Sequence, residues 1–363
     1  MLAGHAVQSS IVAEGPEELT QRVGEVREAH RFEVAALERY LARQVGGLAG
    51  AVLVGQFQGG QSNPTYLLSA GGREYVLRRK PPGRLLPSAH AVDREYRVLT
   101  ALAATDIPVP RTYVYCDDPT VIGTPFYVMD CVRGRIFADP QLPGVSPAQR
   151  AALYDAMNAV LARLHGLDWQ ALGLGDFGKA GNYFARQIHR WTTQYRASQT
   201  EPIPEMERLI EWLPAHIPAD DETTLVHGDY RPGNMVVHPT EPRILAVLDW
   251  ELSTLGHPLA DLAYNCVPYY LDADGLGGKN LAALGIPSEP AYTGAYCRRT
   301  GRAGIEDWDF YVGFSLFRLA AISQGIMGRV LAGTANDPNA RERGLRAPFL
   351  AALAWAVVAA RAG

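Results

Sequence analysis

Apolar and polar positions follow two rhythms along this chain, and the rhythm changes near Gly134. From Phe32 to Val45 the apolar residues Val34, Leu37, Tyr40 and Leu41 recur at helical spacing. Three runs with strand character follow, Ala51–Phe57, Thr65–Ser69 and Glu74–Arg79. The first two are separated by Gln58-Gly59-Gly60-Gln61-Ser62-Asn63, and the last two are joined by Gly71-Gly72, a hairpin signal. Leu86-Pro87-Ser88 opens a helix predicted to reach about Ala104, with Val92, Tyr96, Leu99 and Leu102 or Ala103 as its stripe. After Pro108 and Pro110 come two more apolar runs, Thr112–Cys116 and Pro125–Cys131. Beyond Gly134 the spacing is helical, starting with Pro147–His165, except for a β cluster between Thr224 and Trp250.

This order predicts an α+β chain of two lobes, β-rich first and mainly helical second, and not the βαβ alternation of a doubly wound sheet. Residues 1–29 carry little pattern and are expected to form a peripheral arm. Residues 30–130 are expected to form the first lobe and 131–363 the second. A length of 363 residues suits two joined lobes better than one core.

Composition narrows the function classes. The hydrophobic fraction of 47% and charged fraction of 20% are ordinary for a soluble globular protein. A net charge of −4, with no basic tract interleaved with aromatics, argues against nucleic acid as partner. Cys116, Cys131, Cys266 and Cys297 lie far apart with no C-x-x-C pair, which suits a reducing compartment and offers no zinc framework. The first residues lack a signal-peptide pattern, and the apolar segment Ala347–Ala360 is too short to span a bilayer. The expectation is a cytoplasmic protein without a membrane partner, its oligomeric state left open.

The candidate chemistry centres on Leu225-Val226-His227-Gly228-Asp229-Tyr230-Arg231-Pro232-Gly233-Asn234 and on Ile244-Leu245-Ala246-Val247-Leu248-Asp249-Trp250. An apolar run delivers Asp229 onto a loop that Pro232 and Gly233 keep from becoming helix; a second buried run ends in Asp249. Phosphoryl transfer asks a protein mainly for positioning and charge neutralisation. Asp229 suits the acceptor of the attacking hydroxyl's proton. Asn234 and Asp249 suit hard-oxygen ligation of magnesium, and the Asp-x-x-x-x-Asn spacing matches a kinase catalytic loop. Singly, each residue also fits an ordinary turn; together and in this order they favour catalysis.

The first lobe adds a second signal. Glu95 falls on or beside the inward stripe of its helix, and an inward carboxylate needs a cation. Arg78, near the end of the third strand, is the expected partner, as in kinases where such a pair holds ATP phosphates. Lys80, on the same side of the strand, is a weaker candidate.

These motifs resemble the aminoglycoside phosphotransferase family, which also includes choline and homoserine kinases. The loop from His227-Gly228-Asp229 to Asn234, the later Asp249, and Gly256-His257-Pro258-Leu259-Ala260-Asp261-Leu262-Ala263 carry the likeness. Within the family the chain is most similar to the phosphotransferase-like domain attached to some multidomain acyl-CoA dehydrogenases. Tyr75 through Gly83 and Arg94-Glu95-Tyr96 carry that part. The resemblance implies a protein-kinase-like fold with ATP and Mg2+ in the cleft between lobes. It implies Asp229 as catalytic base and Asn234 and Asp249 as magnesium ligands. Gly59, Gly60, Gln61, Ser62 and Asn63 would lie over the phosphates, and Met129, Asp130, Cys131 and Val132 would form the hinge contacting adenine. His227 and Asp261 would brace the catalytic loop. Arg78 stands where the family has lysine, and Trp250-Glu251 follows Asp249 in place of Phe-Gly, with Glu251 unassigned.

Gly173-Leu174-Gly175-Asp176-Phe177-Gly178 mimics a phosphate-binding loop but follows a helix where such a loop needs a strand, so it is read as an ordinary loop. The partner is expected to be a small-molecule hydroxyl acceptor bound by the second lobe. No dense acidic rim for a polycation is evident, and the resemblance suggests a hydroxy acid or hydroxyacyl thioester. Arg190, beside Trp191, is the candidate for its anionic group, against the plainer role of a surface ion pair. A catalytically silent kinase-like protein that binds nucleotide or an acyl ligand is the competing reading.

Overall fold

In this computed structural model, residues 17–18, 23–46, 48, 50–58, 63–82, 91–272, 275–335 and 337–360 are described. The chain opens with β1 (Glu17–Glu18), β2 (Val23–Gly24) and α1 (Val34–Gln44), then β3 (Leu53–Phe57), β4 (Thr65–Ala70) and β5 (Arg73–Arg79). Next come α2 (Val92–Leu102), β6 (Thr112–Cys116), α3 (Pro119–Ile122), β7 (Phe126–Asp130) and β8 (Arg135–Ile136).

Six of these strands form one antiparallel sheet in the order β2-β3-β4-β5-β7-β6. Side chains alternate across its two faces. On β5, Tyr75 and Leu77 join Leu37 and Leu41 of α1 in the outer core, while Val76 faces α2 and the second lobe. The same alternation separates two neighbouring arginines. Arg79 is buried on the outer face, its guanidinium 5.2 Å from the Phe32 ring centroid and donating to the Ile122 carbonyl at 3.0 Å. Arg78 points into the cleft.

Val23 and Gly24 pair with Phe57 and Gln56 at the sheet edge, and the Arg27 amide donates to the Gln56 side chain. The N-terminal lobe therefore begins earlier than residue 30; a two-residue strand is too short to carry a periodicity. The predicted helix start at Leu86–Ser88 lies outside the described residues, and the helix itself begins at Val92. Its buried face is Val92, Glu95, Val98, Leu99 and Leu102, with Tyr96 only partly covered.

The second lobe holds α4 (Pro147–His165), α5 (Tyr183–Ser198), α6 (Pro204–Ala215), β9 (Thr224–Val226), β10 (Met235–Val237), β11 (Ile244–Val247) and β12 (Thr254–Gly256). It continues through α7 (Pro258–Cys266), α8 (Leu281–Leu284), α9 (Glu289–Thr300), α10 (Trp308–Leu331), α11 (Ala340–Leu345) and α12 (Ala347–Ala359). Helix α4 starts on a capping box, Ser146 with Gln149, followed by Pro147 at its first position. Helix α10 is long and apolar enough to cross a membrane by composition, yet 83% of its most apolar stretch is buried inside the protein, against α5, α7, α11 and α12.

Two small antiparallel pairings frame the loops that matter. β9 pairs with β12, and β10 pairs with β11, whose sheet β8 and β1 extend. The β9–β10 loop carries residues 227–234, and the β11–β12 loop carries residues 248–253. The lobes are tied by the Val247 amide donating to the Pro108 carbonyl at 2.8 Å. Arg94 adds a tie from α2: it donates to the Phe177 carbonyl at 2.6 Å and lies over that ring. The glycine-rich stretch 173–178 thus forms turns docked against α2, with no strand before it.

Candidate active site

β9 is fully buried, and the chain leaves it through Gly228 at φ +84°. A Cβ there would stand 2.6 Å from the Leu252 carbonyl oxygen, so only glycine fits this corner. Asp261, in the first turn of α7, receives the two amides at the corner: His227 N–H at 2.5 Å and Gly228 N–H at 2.8 Å. Burial alone would raise the Asp261 pKa, but the His165 contact, the nearby His227 and the Gly228 amide outweigh it and hold the carboxyl below its ordinary range. His227 spans the two loops. Its Nδ1 accepts the Asp229 amide at 3.1 Å, so Nε2 carries the proton and donates to the Leu248 carbonyl at 2.9 Å.

The Asp229 carboxylate is held by three donors. Oδ1 accepts from the Tyr264 hydroxyl at 2.7 Å; Oδ2 accepts from Asn234 Nδ2 at 2.7 Å and Arg231 Nε at 3.2 Å. Burial, then the charge of Asp229, push the Tyr264 phenol far above its usual range, so it remains a donor. Asn234 Nδ2 also reaches the Asp229 carbonyl at 2.9 Å, which assigns the amide's orientation and leaves Oδ1 as an acceptor.

Asp249 sits beside this loop because Leu248 is gripped on both sides, its amide by the Asn234 carbonyl at 2.8 Å and its carbonyl by His227. Asp249 has φ +65°, a left-handed conformation in a non-glycine residue and a mark of local strain. Its carboxylate meets Arg78 at 2.7 Å, and Glu251 reaches the same guanidinium at 3.3 Å. Arg78 Nε lies 3.0 Å from Glu95, which also accepts from Tyr127 and Asn63 and is 1% exposed. Burial would lower the Arg78 pKa, but the carboxylates of Glu95, Asp249 and Glu251 together push it above the usual value. Burial raises Glu95, with Arg78 opposing. Lys80 makes no ion pair among the described residues.

The model of the phosphotransferase enzyme family (APH) matches residues 54–311. The chain belongs to the phosphotransferase enzyme family. A solved structure of a candidate aminoglycoside phosphotransferase from Ralstonia eutropha is 51% identical, with a TM-score of 0.84 over 91% of this chain and 99% of that one. Acyl-CoA dehydrogenase family member 10 of Mus musculus is 48% identical over 91% of this chain and 31% of its own length. For family member 11 of Gallus gallus the figures are 48%, 88% and 42%. The chain thus spans less than half of the curated relatives it matches. A structure of aminoglycoside phosphotransferase APH(4)-Ia in ternary complex with AMP-PNP and hygromycin B is 15% identical, with a TM-score of 0.57 over 89% and 98% of the two chains. That likeness establishes the shared kinase-like fold.

Within this phosphotransferase-family chain, Arg78, Glu95, Asp229, Asn234 and Asp249 meet in the cleft, with His227 and Asp261 behind them. Gly59, Gly60, Gln61 and Ser62 lie outside the described residues; Asn63 is buried against Glu95. At the end of β7, Met129 is buried and Asp130 accepts from Tyr113 at 2.5 Å. Cys131 and Val132 follow, half-buried, and burial pushes the Cys131 thiol up to about 11. Arg190 has no carboxylate partner among the described residues; its guanidinium lies 5.3 Å from the Trp191 ring centroid. Sequence reading missed Tyr264, Arg231 and Arg318. Tyr264 stands one residue past the Leu262-Ala263 signal, and Arg231 lies inside the catalytic loop. Arg318 donates to the Gly228 carbonyl at 2.6 Å from 90 residues away, and no local pattern marks it.

Proposed function

We propose that this chain is an ATP- and magnesium-dependent kinase that phosphorylates a hydroxyl of a small molecule. The observation that carries this reading is the Asp229 carboxylate, oriented by Tyr264, Asn234 and Arg231 beside Asp249. Asp229 would accept the proton of the attacking hydroxyl, and Arg78, fixed by Glu95, would hold nucleotide phosphates. Asn234 Oδ1 and the Asp249 carboxylate would ligate magnesium, which supplies neutralisation of phosphate charge when bound. Such a set suits magnesium, an ion that takes one or two carboxylates and completes its shell with phosphates and water. The neighbour bound to AMP-PNP supports nucleotide use.

For the acceptor we infer a hydroxy acid or a hydroxyacyl thioester. The support is the identity with proteins named for acyl-CoA chemistry and Arg318, which has no salt-bridge partner among the described residues and packs on Tyr264, the donor to Asp229. The deciding experiment is magnesium-dependent ATP turnover over a panel of hydroxy acids, their thioesters and aminoglycosides. Phosphorylation of the acids or thioesters is expected. Nucleotide binding without turnover on any acceptor would assign the chain as a silent kinase-like binder, and efficient turnover confined to aminoglycosides would overturn the acceptor class.

A further inference from the structure

Packed against the Tyr264 and Trp191 rings lies a cationic cluster with unused donors. Arg318, on α10, is 7% exposed and spends Nη2 on the Gly228 carbonyl, yet its Nε is buried without a hydrogen-bond partner among the described residues. Its guanidinium stands 5.0 Å from the Tyr264 ring centroid and 5.5 Å from that of Trp191. Trp191, on α5, is also 7% exposed, and its indole Nε1 is likewise buried and unpartnered among the described residues. Arg190 lies 5.3 Å from the same indole ring. Neither arginine has a salt-bridge partner among the described residues, and the field of Arg318 reaches Arg190: burial first, then that like charge, lower the Arg190 pKa.

A buried donor without a partner is destabilising, and neighbouring guanidinium groups without a counter-charge add repulsion. Arg190 is exposed, so the local instability lies with the buried pair: Arg318 Nε and Trp191 Nε1 are orphaned donors that an anion would satisfy, with Arg190 beside the same ring. The ring stack connects this point to the chemistry, since Tyr264 packs on Arg318 and donates to Asp229.

We propose that Trp191, Arg318 and Arg190 form an anion subsite that grips a carboxylate of the acceptor while the acceptor's hydroxyl meets Asp229. This rests on the phosphotransferase reading above. A planar carboxylate matches a guanidinium fork and leaves an oxygen for an indole N–H. The same cluster repels polycations, which makes it a specificity device as well as a binding one.

The test is a tryptophan-fluorescence titration of the full chain with lactate and 3-hydroxybutyrate, with lactamide as neutral analogue and inorganic phosphate as competing anion. Runs with and without ADP and magnesium, and a parallel titration of magnesium–ATP, complete the set. Saturable change with the carboxylates and none with lactamide is expected, the signal vanishing in Trp191→Phe and weakening at least about 10-fold in Arg190→Gln. Arg318→Gln should abolish it; because Arg318 also braces Gly228, the Arg190 and Trp191 variants carry the test should that variant misfold. In steady-state assays Arg190→Gln should raise KM for the acceptor and leave KM for ATP alone. Normal magnesium–ATP binding with no carboxylate response, or an equal response to lactamide, would overturn the subsite and leave the kinase reading standing. Tighter response to phosphate than to either carboxylate would overturn the carboxylate assignment. Carboxylate binding without any magnesium–ATP binding would support the subsite and sink the kinase reading.

Discussion

Asp229 is the residue on which the proposed chemistry turns, and its environment explains what each substitution should do. Three donors fix both oxygens, so Asp229→Asn keeps the shape but loses the charge that accepts a proton. Turnover should fall at least about 10²-fold, the usual contribution of a positioned base, with ATP affinity nearly unchanged by calorimetry; wild-type kcat in this variant would remove Asp229 from the role. Gly228, next door, is a matter of space. Alanine there would hold φ +84° and press its Cβ on the Leu252 carbonyl. A strained non-glycine residue costs about 1–3 kcal/mol, and the clash adds to it, so thermal melting should move down by several degrees. An unchanged melting temperature would mean that the corner relaxes.

At the scale of elements, the cleft is where β5, α2 and the β11–β12 loop converge on one guanidinium. Arg78 bridges Glu95 of α2 to Asp249 and Glu251 of the loop. In the proposed nucleotide complex Asp249 would ligate magnesium in place of its contact with Arg78, while Glu95 and Glu251 would keep the guanidinium. Asp249→Ala should therefore abolish the tightening of ATP binding by magnesium, and calorimetry with and without the metal reads this directly; an undiminished magnesium effect would take Asp249 out of the site. Lysine at 78 can satisfy one carboxylate but not three, because a guanidinium fork offers several fixed donors and an ammonium one point of charge. Arg78→Lys should weaken ATP binding about 10-fold, the loss of one charge-assisted hydrogen bond, and affinity equal to wild type would show that the fork is dispensable.

For the molecule as a whole, Asp261 links parts that are far apart in sequence. It joins the end of α4 through His165 and the corner after β9 through two amides, from its place in α7. Its pKa is depressed in the folded state, so its stabilising contribution is present above the unfolded value of about 3.9 and is lost as pH falls through the folded one. Asp261→Asn replaces an acceptor of two amides with a group that has a donor facing one of them. Urea unfolding at pH 7 should show a loss of about 1–3 kcal/mol, and at pH 3 the gap from wild type should narrow. A gap that stays constant across that range would show that the carboxylate charge is not what matters.

Much of this protein is determined by near neighbours in the chain. The Gly71-Gly72 hairpin, α4 with its Ser146–Gln149 cap, and the strand-loop-strand context of Asp229 and Asp249 follow from spacing and turn chemistry, which act within a few residues. Arg78 with Glu95 was legible for the same reason: an inward carboxylate on a stripe demands a cation. Elements of two or three residues were not. β2, β8 and β12 carry too few positions to show a period, and each exists only because a partner strand pairs with it. Nor does α10 announce its place, since a helix buried nearly all round has no polar face. The tertiary structure alone decided that Arg78 meets Asp249 across 171 residues, that Tyr264 reaches Asp229, and that Arg318 supports Gly228. Those contacts depend on how separately specified elements pack, and packing is a property of the surfaces brought together, not of the local order of residues.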